Sequence, residues 1–149
     1  MIDNSVIRVP CQQIPLMWEN IKFVTSSACE VDPAHSQEYF NDLLYFLLCD
    51  KAQCWIRMDK DRKMTMLWIT RVLFDKVRCR RFLLIEAVYS WKVTDSEAWI
   101  SLFNLMKEFA MKEMCDRLVV ESSIDRVIQI ASGLGFKEGP KTFIFDLSE

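Results

Sequence analysis

Three β-prone segments follow one another through the middle of the chain with only short charged breaks between them, and this run constrains the architecture more than any other feature. Cys54, Ile56 and Met58 alternate with Trp55, Arg57 and Asp59, after which Asp59-Lys60-Asp61-Arg62-Lys63 is wholly polar. Met64 to Phe74 is then apolar and rich in strand formers. A period of two, a charged turn and a second such run predict two antiparallel strands. A further break, Asp75-Lys76-Val77-Arg78, precedes Arg81 to Tyr89, whose nearly unbroken apolar run predicts a strand covered on both faces and central in the sheet.

Helical signals flank this meander. Pro15 stands near the start of a segment in which Leu16, Met17, Ile21 and Val24 recur at helical spacing, which predicts a short first helix over 14–24. Asp32-Pro33 reads as a cap followed by a first-turn proline, and Tyr39, Phe40, Leu43, Leu44, Phe46 and Leu47 form a broad apolar stripe running to Cys49. After the meander, Thr94-Asp95-Ser96-Glu97 has capping-box spacing. Trp99, Ile100, Phe103, Met106, Phe109, Ala110 and Met114 then mark the longest helix, up to Cys115. Arg117 to Glu121 reads as a short strand, Ile124 to Ala131 as a short helix ending near Gly133, and Lys141 to Leu147 as a last, alternating strand. The expected order is α-α-β-β-β-α-β-α-β in a single domain over 1–149. It implies an α/β fold with a mixed, mostly antiparallel sheet, a right-handed late crossover and helices on both faces.

Composition narrows the partners. Of 149 residues, 51% are hydrophobic, enough for a real core. Nineteen basic residues against 21 acidic ones leave a net charge of -2, so no global field draws the chain onto nucleic acid or membrane. The first residues carry no basic, apolar leader pattern, and no run approaches the ~20 apolar residues of a membrane span, so the expected setting is intracellular, or inside a virion, rather than secreted. The six cysteines have no C-x-x-C spacing and read as reduced, mostly buried thiols. A zinc site would need His35 with Cys29, Cys49 and Cys54, a spacing that matches no common ligand pattern.

The order of elements, together with two stretches of the C-terminal half, resembles the GNAT superfamily of N-acyltransferases. Phe109-Ala110-Met111-Lys112-Glu113-Met114-Cys115-Asp116-Arg117-Leu118-Val119-Val120 is similar to that family's helix-to-strand junction, and Ala131-Ser132-Gly133-Leu134-Gly135-Phe136 to its closing Leu-Gly-Phe turn. The resemblance covers about Trp18 to Leu147 and implies a fold that holds acetyl-CoA on an Arg/Gln-x-x-Gly-x-Gly/Ala loop opening the long helix. That loop falls on Thr94 to Trp99, where no glycine stands. Asp95, Glu97 and Trp99 occupy the place instead. A pyrophosphate wants close backbone N–H groups at a helix N-terminus, whereas two carboxylates and an indole would repel or obstruct it. The resemblance further places Ala131 where a tyrosine commonly protonates the leaving thiolate, and Ile124 where an asparagine is usual.

The surviving catalytic candidates are Glu86, a carboxylate in an apolar strand, and Tyr89 near the strand's end. If a divergent cradle exists, Val93, Thr94, Asp95 and Ser96 would form it. The expectation is therefore a catalytically degenerate GNAT-like domain without cofactor, working as a structural or protein-interaction module, with a protein partner or a second copy as its contact. The resemblance also extends to degenerate family members found in phage particles. The alternative is an acetyl-CoA-dependent N-acetyltransferase with an altered cradle. Trp91, between Ser90 and Lys92 in a polar loop, is the candidate partner anchor. The nine basic and three acidic residues from Arg57 to Arg81 form a possible but less favoured nucleic-acid edge, since solvated turns explain them as well.

Overall fold

The computed structural model describes residues 6–122 and 124–147. In chain order the elements are β1 (Val6–Arg8), α1 (Ile14–Ala28), α2 (Ser36–Leu48), β2 (Ala52–Met58), β3 (Met64–Asp75), β4 (Arg80–Ser90), α3 (Ser96–Lys112), β5 (Arg117–Val120) and α4 (Asp125–Gly133). The strands lie in the order β1-β2-β3-β4-β5. The first four are antiparallel, and β5 runs parallel to β4, so α3 is the crossover between them. The architecture is the expected mixed, mostly antiparallel α/β one.

The period of two along the strands distributes the core between the faces. Cys54, Ile56, Leu67 and Ile69 pack with Ile14, Ile21 and Val24 of α1 and Leu43 and Leu47 of α2. Trp55, Met66 and Trp68 face the other way, onto Leu102, Met106 and Phe109 of α3. There the Trp55 and Trp68 rings stack with centroids 6.3 Å apart, and Phe109 meets Trp55 edge-on at 5.1 Å. This face also holds a chain of paired polar groups: the Trp55 indole N–H donates to Thr70 Oγ1 at 3.0 Å, and Thr70 donates to Gln53 Oε1 at 2.7 Å.

Local chemistry sets the helix ends. Asp32 accepts from the Ala34 N–H and so caps a single 3-10 turn, Pro33–His35, that leads into α2. α1 runs four residues beyond the expected Val24 because Thr25 and Ser27 return their hydroxyls to the carbonyls of Ile21 and Phe23, at 2.9 and 2.8 Å, and so do not break the helix. The cap of α3 is Asp95 rather than Thr94: its carboxylate accepts from the Ala98 N–H at 2.8 Å, while the Thr94 hydroxyl turns to Ser90 Oγ at 2.8 Å.

Four other expectations are corrected. β1 is too short for alternation to reveal, and it forms by pairing Val6, Ile7 and Arg8 with Arg57, Ile56 and Trp55. The doubly covered central strand is β3, buried without interruption from Thr65 to Thr70, whereas β4 alternates, with Leu83, Ile85 and Ala87 buried and the residues between them part-exposed. Lys141 to Leu147 pairs with no strand and is exposed throughout, since alternation fixes a face to bury but not an edge to join. Only Cys54 of the six free cysteines is buried, while Cys49 and Cys79 sit exposed at chain reversals. Among the described residues, no helix is long and apolar enough to cross a membrane.

Candidate functional site

The fold opens a cleft where β4 and β5 part. Their parallel pairing covers only Phe82–Ile85 against Arg117–Val120. Beyond it β4 continues to Ser90, while the chain leaving β5 turns into α4. The resulting space is roughly 670 Å³, walled by Val88 to Thr94, Trp99, the end of α1 at Ser27 and Ala28, and Ile124, Arg126, Val127 and Ile130 of the α4 region. Of the four candidate cradle residues, Val93 and Thr94 line it, while Asp95 and Ser96 lie at the head of α3 and are not part of its wall. The Trp99 Nε1–H on that wall is buried and has no hydrogen-bond partner among the described residues.

A bulge lies between this cleft and the paired part of the sheet. Ile85 pairs with Thr70 and Ala87 with Ile69, leaving Glu86 as the extra residue on β4. Its effect on side-chain direction is visible in the core: Leu83 and Ile85 join the α3 face, whereas Ala87 and Tyr89, in step with them by sequence, join the α1/α2 face. The Glu86 carboxylate is held by Arg71 of β3, whose Nε–H donates to Oε2 at 2.9 Å, with side chains 14% and 18% exposed. Asp42 of α2 approaches the same guanidinium at 3.6 Å, and the guanidinium carbon lies 5.2 Å from the Phe46 ring centroid. A carboxylate so engaged is a structural partner before it is a base.

Two further groups gather here that sequence reasoning did not select. The Cys29 thiol donates to the Glu86 carbonyl at 3.5 Å. Burial, then the Glu86 charge, raise its pKa. The Tyr39 hydroxyl is buried and meets no partner at hydrogen-bond geometry, yet lies close enough to Cys29 for each to perturb the other; burial, then the Glu86 charge, drive its pKa far up. Both groups are neutral near pH 7 and neither is a ready nucleophile or acid. The signal that could have found Arg71 was the one that selected Glu86, a charge inside an apolar strand.

Tyr89 and Trp91 are brought together, but in an aromatic cluster. Phe23 of α1 meets Tyr89 at 5.1 Å and stacks on Trp91 at 6.3 Å, and Tyr89 meets Trp91 at 5.0 Å. Trp91 is thus packed on one side and 39% exposed on the other. The adjoining Lys92 reaches back to Asp59 in the β2–β3 turn at 2.7 Å, fastening the cleft loop to the sheet. That bond, followed by the Lys63 N–H, holds the Asp59 carboxyl down at about 2, and raises Lys92 in turn.

The basic run from Arg57 to Arg81 does not form one surface. Successive hairpin turns lie at opposite ends of β3, so Lys60, Arg62 and Lys63 are separated from Lys76 and Arg78 by roughly 35 Å of strand. Several cations are also paired, Arg78 with Asp75 at 3.0 Å, Arg80 with Asp116 at 3.7 Å and Arg81 with Glu113 at 3.9 Å. Among the described residues no cluster of three metal-ligating side chains occurs.

Neither a family model nor a curated protein matches the chain. Solved structures do. A probable acetyltransferase superposes with a TM-score of 0.69 at 13% identity, over 97% of this chain and 98% of that one. The aminoglycoside 6'-N-acetyltransferase of Acinetobacter haemolyticus gives 0.68 at 14% identity, over 97% and 98%. The ribosomal-protein-alanine N-acetyltransferase of Brucella melitensis biovar Abortus 2308 gives 0.66 at 10% identity, over 95% and 99%. Likeness along nearly the whole length, with the strand order and the β4/β5 cleft described above, establishes that this chain has the GNAT fold.

Proposed function

We propose that the chain is a catalytically silent GNAT-fold domain that works through protein contacts rather than acyl transfer. The observation that carries this reading is the Asp95 carboxylate on the Ala98 N–H at 2.8 Å. In a site of this kind the first amides of the long helix would face the pyrophosphate of acetyl-CoA. Here an anion supplied by the chain already occupies one of them, and Glu97 adds a second carboxylate in the first turn. The residues present do not fit a pyrophosphate at that position. Three further features support the reading: Glu86 is engaged by Arg71, and the side chains of Ala131 and Ile124 offer neither a proton nor a hydrogen bond.

A second reading, an acetyl-CoA-dependent N-acetyltransferase with a divergent cradle, has one observation in its favour. The cleft persists, and the buried, unpartnered Trp99 N–H on its wall is a donor that a bound ligand could satisfy. In that case Glu86 would have to leave Arg71 before it could take a proton from an amine.

Isothermal titration of the purified protein with acetyl-CoA, with desulfo-CoA as control, separates the two. The silent-domain reading expects no saturable heat and no acetyl transfer to a panel of amines. Micromolar binding, about -8 kcal/mol, together with transfer abolished by Glu86→Gln, would replace it with the second reading.

A further inference from the structure

The last described residues are the most exposed apolar part of the molecule. Phe143, Ile144, Phe145 and Leu147 have 91, 80, 86 and 91% of their surface in solvent. The chain is held to its own domain as far as Phe136, whose ring lies 5.4 Å from that of Phe103 on α3, and every residue from 137 to 147 is exposed thereafter. Single exposed apolar residues need no explanation, but four large ones within five positions do. Their pattern is that of a strand: Phe143, Phe145 and Leu147 would share one face.

The complementary surface is on the same chain. Among the described residues β5 is a terminal strand of the sheet and pairs only with β4, so one row of its backbone N–H and C=O groups has no neighbouring strand there. The helix that leaves this strand, α4, buries none of its residues, and Ile124 and Ile128 beside its start are 38% and 47% exposed. An apolar strand without a sheet and a sheet edge without a strand thus lie on one polypeptide, while the strand's own domain leaves it uncovered.

We propose that Lys141–Leu147 of one copy adds as a sixth strand to the open edge of β5 in a second copy, reciprocally, so that the protein is a strand-exchanged dimer. Reciprocity follows from using one segment and one β5 edge per copy: a two-fold axis satisfies both pairs at once. The phenylalanines then cover apolar surface around α4 and β5 of the partner. This inference stands apart from the reading of the cleft, and the titration above does not bear on it.

The test is sedimentation or light scattering of the full chain over about a hundredfold range of concentration, where mass action separates dimer from monomer. The expected result is a dimer that Ile144→Pro, and separately the pair Phe143→Asp with Phe145→Asp, converts to a folded monomer with unchanged far-UV dichroism. A full chain that stays monomeric throughout, or a dimer that these substitutions leave intact, overturns the proposal. Hydrogen exchange on the unmodified chain decides the matter even where a variant fails to fold. Protection of the 142–146 amides that rises with dimerisation supports exchange between copies, whereas the same protection in a monomer would mean pairing within one chain and would refute it.

Discussion

Removing the Asp95 side chain tests the central argument, because one atom is credited both with holding the helix and with excluding an anion. Asp95 Oδ1 takes the Ala98 N–H at 2.8 Å at the head of a 17-residue helix. Losing a side-chain cap of this kind costs about 1 kcal/mol, within a range of roughly 0.5–2. For a chain of this length that lowers Tm by about 2–4 °C per kcal/mol. Asp95→Asn keeps an acceptor but not the charge, so it should lose only the interaction with the helix dipole, about 0.3–1 kcal/mol. The expected order of stability by urea denaturation is therefore wild type, Asp95→Asn, Asp95→Ala. The same series should order anion affinity in reverse. A like charge about 4 Å from a phosphate costs on the order of 1 to 4 kcal/mol between water and a protein surface. Asp95→Ala should thus bind inorganic pyrophosphate at least about fivefold better at low salt, with Asp95→Asn close behind, since each lacks the charge. If Asp95→Ala is as stable as the wild type, or gains stability loss but no anion affinity, the picture of a self-capped and therefore sealed helix end is wrong.

The remaining expectations concern charges and thiols. Arg71→Leu, which leaves Glu86 half-buried without its cation, should cost about 2–3 kcal/mol in chemical denaturation, and Arg71→Leu with Glu86→Leu should recover most of it; additive losses in that double-mutant cycle would show the pair to be uncoupled. The Asp59 carboxyl is depressed from an ordinary 3.8 to about 2, so its contribution is complete above about pH 4 and is lost as the pH falls toward 2. Lys92→Met should flatten that acid limb of the stability curve, and an unchanged limb would remove the tether. Cys54, raised by burial to about 12 from an ordinary 9.0, binds its proton in the fold where the unfolded chain has lost it. Stability should therefore fall as the pH rises from about 9 toward 12, and Cys54→Ala should blunt the fall. In native thiol titration with a disulfide reagent, Cys49 and Cys79 should react first and Cys54 only on unfolding.

The parts of this structure that could be read from sequence are those in which one residue's chemistry suffices. The α3 stripe, the alternation in β2, the apolar β-prone run of β3 and the proline near the start of α1 each act within a few positions, and each element forms there. What could not be read depends on a partner far along the chain. Glu86 looks like a candidate base until Arg71, fifteen residues earlier, is seen beside it, and the two meet only because strands β3 and β4 adopt one particular register. The bulge that makes Glu86 the extra residue is likewise invisible, since Ala87 and Tyr89 continue the alternation of Leu83 and Ile85 by sequence yet pack on the opposite face. The capping-box spacing points to Thr94, but the Thr94 hydroxyl pairs with Ser90 and Asp95 caps the helix instead.

The positions of the two cores explain why the fold carries so little information about the chemistry. One core joins α1 and α2 to β2 and β3, and the other joins α3 to the opposite face of the same strands. Neither draws a buried residue from the loop 91–95 beside the cleft, where Val93 is 96% exposed. Residues 93–95 take no part in either core, so the sheet does not depend on what stands there, and a capping aspartate at that point strengthens the helix it begins. The two demands on that helix end conflict: an anion site leaves amides open toward a ligand, while a stable helix closes them with its own side chain. At Asp95 the chain's own carboxylate takes the Ala98 amide. A TM-score near 0.7 to acetyltransferases therefore follows from the β2–β3 cores, whereas the reaction depends on residues those cores do not constrain.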